Sequence, residues 1–136
     1  MKKSQQGVML LEALIGILIF SMGILAIVGM QARSIASVSD AMFRSQASFL
    51  ANEIIGQMWV DRGVGLAGLA SYAYPPGGSP ALATWVAKLQ FELPRGAAVI
   101  ATNTATGFVT VTITWQPPNA TTPHNLTSVA QITNPD

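Results

Sequence analysis

VMLLEALIGILIFSMGILAIVGM, residues 8–30, is an apolar run that contains a single charged residue, Glu12. As a helix rising 1.5 Å per residue, the run is about 35 Å long, which is enough to cross a hydrocarbon core of about 30 Å. A charged side chain inside such a span costs roughly 2.5–3.5 kcal/mol on insertion scales, so it requires a partner or a function. Glu12 is therefore the first candidate functional residue.

The flanks of this run indicate an orientation. Lys2 and Lys3 precede it, and Arg33 and Arg44 follow it. Because positive charge favours the cytoplasmic side, the two lysines and the α-amino group favour a cytoplasmic N-terminus.

Composition limits what the rest of the chain can be. The 136 residues are half hydrophobic, and with the N-terminal run set aside about a hundred residues remain for one small core, which predicts one compact domain on a long stalk. The net charge of +1, without a basic stripe, argues against nucleic acid as a partner. Cysteine is absent, which excludes a disulfide framework, a thiolate metal site and a cysteine nucleophile.

Two general interpretations of residues 8–30 compete with a more specific one. A secretory signal has an apolar stretch of about 7–15 residues and a small-x-small cleavage site, whereas this run is longer, is interrupted by Glu12, and ends in a poor cleavage site at Met30-Gln31-Ala32. An uncleaved membrane anchor fits the length but does not account for Glu12 or for the junction between Gly7 and Val8.

The third interpretation rests on the string Gly7-Val-Met-Leu-Leu-Glu12-Ala-Leu14, which resembles the type III leader junction of type IV pilins and pseudopilins. The resemblance implies that a prepilin peptidase removes a leader of residues 1–7 by cutting between Gly7 and Val8, and then methylates the new amine of Val8. The family most often has phenylalanine after the cut, and this chain has valine.

Cleavage would supply the partner that Glu12 lacks. The new amine is cationic, and opposite charges attract strongly in a low-dielectric environment, although desolvation offsets much of the gain. Val8 and Glu12 are spaced i, i+4, so the pair can form within one helix. It can also form between the amine of one subunit and Glu12 of its neighbour, which would set the axial register during assembly. The resemblance favours the second arrangement, and the sequence alone leaves both open.

Helical periodicity continues beyond the membrane run. Apolar residues recur at helical spacing at Phe43, Ala47, Leu50, Ile54 and Met58. This amphipathic half, residues 31–62, ends where Asp61-Arg62-Gly63 leaves the helical pattern, so one helix from Val8 to about Val60 is expected. Asp40 and Arg44 are predicted to form an exposed i, i+4 pair.

Residues 63–136 are predicted to form a globular head. A short helix is expected over Pro80–Glu92, because Leu93-Pro94 and Gly96 stop it. Strict alternation predicts a hairpin of strands 97–102 and 108–116 around the turn 103–107, with a third strand at 126–133. These patterns predict an α+β fold, with a long N-terminal helix packed against a small antiparallel sheet whose threonine face meets solvent or a neighbouring subunit. The resemblance implies that this fold is type IV pilin-like and that the first half of the helix spans the membrane.

The head contains no recognisable catalytic motif. His124 is predicted to be a surface histidine in a loop beside Pro123, and Glu53, Asp61 and Glu92 are dispersed without metal-ligand spacing. We therefore expect no enzyme activity, no catalytic residue, no metal and no cofactor.

Three further stretches of the sequence indicate a narrower group within the type IV pilin family. Residues 22–33, 44–53 and 57–59 resemble minor pilins of the PilV type, and the lack of cysteines differs from the disulfide-closed loop of many major pilins. The resemblance implies a single-pass protein of the bacterial inner membrane with a periplasmic head, incorporated at the tip of a surface pilus that supports twitching motility and adhesion. The implied partners are membrane lipid, prepilin peptidase, the inner-membrane assembly platform, major pilin, other minor pilins and a PilY-type adhesin. A type II secretion pseudopilin shares the leader and the stalk, and an uncleaved, membrane-anchored periplasmic binding module is the alternative from another class.

Overall fold

The computed structural model describes residues 6–75, 79–118 and 120–134, so most of the predicted leader, residues 1–5, lies outside the described residues. Helix α1 runs Gln6–Val60 and helix α2 runs Pro80–Glu92. The strands are β1 at Ala97–Thr102, β2 at Phe108–Trp115 and β3 at His124–Gln131. The α+β architecture predicted from the sequence, with a long N-terminal helix and a small antiparallel sheet, is confirmed.

The chain divides into two compact units, one up to Ser39 and one from Asp40 onward. Helix α1 contributes to both. In the first unit it is a single helix whose apolar side chains from Val8 to Met30 are all exposed. It is long and apolar enough to cross a membrane. In the second unit the same helix is part of a folded core.

The core of the second unit lies between the two helices and one face of the sheet. Strand β2 alternates as predicted, with the inward side chains of Val109, Val111, Ile113 and Trp115 fully buried and the threonines between them partly exposed. The predicted stripe of α1 is also confirmed, because four of its five residues are buried and Phe43 packs against them. Helix α2 contributes Leu82, Trp85 and Leu89.

Local signals explain the element boundaries. The side chain of Ser79 accepts a hydrogen bond of 3.3 Å from the backbone N–H of Leu82, so Ser79 caps the N-terminus of α2. Pro80 occupies the first turn, where the missing N–H of proline costs no helical hydrogen bond. In the hairpin turn, Asn103 Oδ1 accepts from the backbone N–H groups of Ala105 and Thr106 at 3.0 and 3.1 Å. Gly107 then takes a positive φ of 71°, which glycine adopts without strain.

The sheet is a simple meander in the order β1-β2-β3, antiparallel throughout. Strand β3 lies two residues earlier than predicted, because its pairing with β2 extends to the end of that strand, where His124 faces Trp115. A 3-10 segment at Val64–Tyr72, interrupted by left-handed backbone at Gly65 and Leu66, was not predicted. It places Leu69 and Tyr72 in the core.

Candidate functional site

The candidate assembly site lies at the start of α1. Gly7 and Val8 fall in the first turn of the helix, and Glu12 follows one turn later. The side chains of Val8 and Glu12 are exposed, and among the described residues no salt bridge involves Glu12. The three residues therefore form a local, solvent-accessible or lipid-accessible cluster whose geometry is set by the helix alone.

The polar groups of the apolar span, apart from Glu12, form their hydrogen bonds within the helix, as an apolar surrounding requires. An α-helix satisfies its own backbone groups, which is the requirement for crossing hydrocarbon. The hydroxyl of Ser21 donates to the carbonyl oxygen of Ile17 at 2.7 Å, so this polar side chain is also satisfied within the helix. Glu12 is the single charged residue of residues 8–30, and no salt bridge among the described residues pairs it with a cation.

The head places His124 differently from the prediction. His124 lies in strand β3 and is not a freely exposed loop residue. Its Nδ1 is 2.8 Å from Oδ1 of Asp40 on α1, and its ring centre is 5.9 Å from that of Trp115. The predicted loop position is wrong because pairing with β2 extends the strand back to residue 124, whereas the side chain remains partly exposed. Among the described residues, Asp40 contacts this histidine and forms no salt bridge with Arg44, so the predicted pair of Asp40 and Arg44 is not present.

A second polar contact joins the two helices. Lys88 on α2 donates to both carboxylate oxygens of Glu53 on α1, at 3.0 and 2.8 Å, and lies 5.3 Å from the ring centre of Phe49. The hydrogen bond that Lys88 donates to Glu53 raises the pKa of Lys88. Both charged groups are partly exposed, so the contact orients α2 on α1 without forming a reactive centre.

A third contact closes the segment after α1. The Tyr72 hydroxyl donates to Asp61 Oδ2 at 2.5 Å. Burial, together with this hydrogen bond and the negative charge of Asp61, raises the pKa of Tyr72 to about 12. A tyrosine held neutral in this way is a structural hydrogen-bond donor and is not poised for proton transfer at neutral pH.

A shallow depression lies where β2 ends. It has a volume of about 290 Å³ and is lined by Pro94, Arg95, Gln116, Pro117, Pro118 and Ala120. Its polar groups already bond to one another, since Arg95 donates to Gln116 Oε1 at 2.9 Å and Gln116 Nε2 donates to the Ala120 carbonyl at 2.9 Å. Its lining residues include no nucleophile, carboxylate or histidine, so the depression has no evident catalytic chemistry.

Within the described part of the chain, no group of three or more histidine, aspartate and glutamate side chains is arranged to hold a metal ion. Two of the three dispersed carboxylates noted in the sequence accept hydrogen bonds within the head. Glu53 accepts from Lys88, and Asp61 accepts from Tyr72. No family model, curated protein or solved structure matches the chain.

Sequence reasoning missed the interactions that depend on distant parts of the chain. Asp40 and His124 are separated by 84 positions, and no local pattern links them. The contact between Tyr72 and Asp61 was also missed, although the glycines at 63 and 65 indicate a tight reversal that returns the chain towards the helix end.

Proposed function

We propose that this protein is a minor pilin of the PilV type, which is cut between Gly7 and Val8 by prepilin peptidase, methylated at Val8 and incorporated at the tip of a type IV pilus. The observation that carries the proposal is the glycine junction followed by Glu12 at the start of one continuous helix. That helix leaves every apolar side chain of residues 8–30 exposed and anchors the head with its other end.

The exposed half of the helix supports a role that needs two successive apolar environments. In the membrane its side chains contact lipid, and in a filament they contact the equivalent helices of neighbouring subunits. Packing the helices side by side removes these surfaces from water, and this burial stabilises the assembly by about 25 cal/mol per Å² of apolar area. A subunit of this kind joins its neighbours through repeating heterologous contacts, which build an open helical assembly.

Glu12 supplies what apolar packing lacks, which is register. Apolar helices slide past one another at little cost, whereas a buried carboxylate without a counter-charge is strongly destabilising. The methylated amine of Val8 stays cationic and is the counter-charge that processing creates. An incoming subunit that places its amine beside a neighbour's Glu12 is retained at that axial position, and other positions leave both charges unpaired.

The proposed location follows from the same features. The N-terminus and leader face the cytoplasm, where the peptidase cuts, and the head lies in the periplasm of a bacterium until the assembly platform extracts the subunit. The proposed partners are other minor pilins and a PilY-type adhesin at the tip, with major pilin below them. This complex would prime the pilus for twitching motility and adhesion, and the chain itself would catalyse no reaction.

Intact-mass measurement of the protein from bacterial membranes and sheared pili tests the proposal. The expected mature chain begins at a monomethylated Val8 and is found in both fractions. A Gly7→Leu variant should remain at the unprocessed mass and be absent from pili. Retention of Met1 in the wild-type protein would contradict the proposal and favour a membrane-anchored periplasmic module.

A pseudopilin of a type II secretion system has the same leader chemistry, so mass alone does not separate the two. Deletion of the gene distinguishes them. Loss of twitching with normal exoprotein release is expected for a minor pilin, and the reverse outcome would assign the chain to secretion.

A further inference from the structure

The depression at the end of β2 contains one charged side chain, which belongs to Arg95. The other lining residues are Gln116, Ala120 and three prolines, so no carboxylate in the lining neutralises the guanidinium. Among the described residues, no salt bridge involves Arg95. A cation beside apolar walls produces a local positive potential that attracts an anion.

The backbone of Arg95 departs from the usual preference for its position. The N–H of Gly96 donates to the Leu93 carbonyl at 2.9 Å, so residues 93–96 form a turn with Pro94 and Arg95 at its centre. Arg95 has a φ of 54°, in the left-handed region where the third residue of a turn is ordinarily glycine or asparagine. Backbone strain of this kind clusters at ligand sites, where the side chain on display compensates for it.

A chain of hydrogen bonds holds the guanidinium in place. Arg95 Nη1 donates to Gln116 Oε1 at 2.9 Å, and Gln116 Nε2 donates to the Ala120 carbonyl at 2.9 Å. Because a guanidinium only donates and a carbonyl only accepts, one orientation of the Gln116 amide satisfies both contacts. The backbone N–H of Gln116 also donates to the Pro94 carbonyl at 2.9 Å, which joins the two sides of the depression. Arg95 is therefore ordered before a ligand arrives, which lowers the entropy that binding costs.

Most of the donors of Arg95 are still available. A guanidinium has five N–H groups, and among the described residues the one hydrogen bond of this side chain goes to Gln116. The remaining groups include a planar fork that can donate two parallel hydrogen bonds to one carboxylate.

The size and lining of the depression indicate the class of anion. A phosphate group carries a charge of about −1.5 to −2 at neutral pH, whereas the depression offers a single cation, which matches one carboxylate. The volume of about 290 Å³ is at the lower limit of ligand sites, which begin at roughly 300 Å³. A shallow site of this size, with rigid proline walls, fits the end of a chain or one short side chain rather than a whole cofactor.

We propose that the depression is a peptide-binding site in which Arg95 accepts a carboxylate as a bidentate ligand and the three proline rings contact the apolar part of the same residue. The carboxylate is either the C-terminus of the peptide or an acidic side chain. The proposal does not rest on the proposed function, because it uses contacts within the head alone.

Nuclear magnetic resonance of the full-length, nitrogen-15-labelled protein in neutral dodecyl maltoside micelles tests the proposal. The probes are acetyl-Ala-Ala with a free C-terminus, acetyl-Ala-Asp amide, and acetyl-Ala-Ala amide, which has no carboxylate. We expect saturable shifts of the backbone amides of Gly96, Gln116 and Ala120 with at least one of the two acidic peptides. The peptide that gives them identifies the source of the carboxylate. Shifts that rise without saturation, or that acetyl-Ala-Ala amide reproduces, would overturn the proposal.

Three variants separate binding from a structural role of Arg95. Arg95→Asn removes the guanidinium but suits left-handed backbone, so it should weaken binding at least tenfold while the melting temperature of the head stays unchanged or rises. Arg95→Lys keeps the charge without the fork, so it should weaken binding severalfold.

Arg44→Gln is the matched control, because Arg44 is an exposed arginine of α1 that does not line the depression. It should bind the acidic peptide as the wild type does. Wild-type affinity in Arg95→Asn would show that Arg95 serves the turn alone. An equal loss in Arg44→Gln would show that the peptide responds to net charge, and either result would refute the site.

Discussion

The indole Nε1 of Trp85 donates a 3.0 Å hydrogen bond to the backbone carbonyl of Leu50, which ties α2 to the middle of α1. Both residues are fully buried, and they are 35 positions apart in the chain. The Leu50 carbonyl also lies in the hydrogen-bond ladder of α1, so it accepts a second bond through its other lone pair. This contact fixes how the short helix sits on the part of the long helix that carries the head.

Replacing Trp85 should therefore cost more than replacing the other buried tryptophan of the core. Trp85→Phe loses packing volume and a buried hydrogen bond worth about 0.5–1.5 kcal/mol. Trp115→Phe is the matched control, because Trp115 is equally buried but its Nε1 has no hydrogen-bond partner among the described residues. We expect Trp85→Phe to lower the free energy of unfolding by about 1 kcal/mol more than Trp115→Phe. Thermal unfolding followed by near-ultraviolet circular dichroism measures the difference, and equal losses would contradict it.

The hydrogen bond between Tyr72 and Asp61 predicts a fall in stability at high pH. The pKa of Tyr72 is raised from 10 to about 12 in the folded protein, so folding favours the neutral phenol. The resulting stabilisation is fully present below about pH 10 and is lost as the pH rises towards 12. Since one pKa unit corresponds to about 1.4 kcal/mol, the loss amounts to at most about 3 kcal/mol.

Tyr72→Phe isolates this contribution, because the variant keeps the aromatic packing and lacks the titrating group. The free energies of unfolding of the two proteins should converge between pH 10 and pH 12, with a constant difference between pH 7 and pH 9. Chemical denaturation at a series of pH values provides the measurement. Curves that stay parallel up to pH 12 would show that Tyr72 titrates normally.

Gly107 is required by both its backbone conformation and its surroundings. Its φ of 71° is unfavourable for residues with a Cβ, and a Cβ at this position would overlap the carbonyl oxygen of Ile132. Gly107→Ala should therefore destabilise the head by roughly 1–3 kcal/mol and loosen the connection between the hairpin turn and the end of β3. Gly56→Ala is the control, since Gly56 lies in α1 with open space around it and should gain up to about 1 kcal/mol. Comparison of the two melting temperatures tests the prediction, and a neutral Gly107→Ala would refute it.

Much of the fold was predictable because it is encoded locally. The alternation around Val111 determines which face of β2 is buried, and the serine and proline at 79 and 80 determine where α2 begins. The start of β3 at His124 was not predictable, because it depends on the partner strand and not on the residues near Pro123. The assembly site is a special case. Its residues follow from the sequence alone, whereas the counter-charge that we propose, the amine of Val8, exists only after cleavage at Gly7, and among the described residues no salt bridge involves Glu12.

Neutralising Glu12 should impair incorporation into pili while leaving insertion and processing intact. Glu12→Gln removes the cost of holding a carboxylate in the membrane, so the variant should insert at least as well as the wild type. It also removes the counter-charge for the methylated amine, so subunits lose the contact that we propose for register. We expect normal amounts of cleaved protein in the inner membrane and a severalfold reduction in sheared pili, measured by quantitative mass spectrometry. Glu53→Gln is the matched control, because it neutralises a carboxylate of the same helix that serves a contact within the head. Recovery of Glu12→Gln in pili at the level of Glu53→Gln would exclude Glu12 as the residue that sets register.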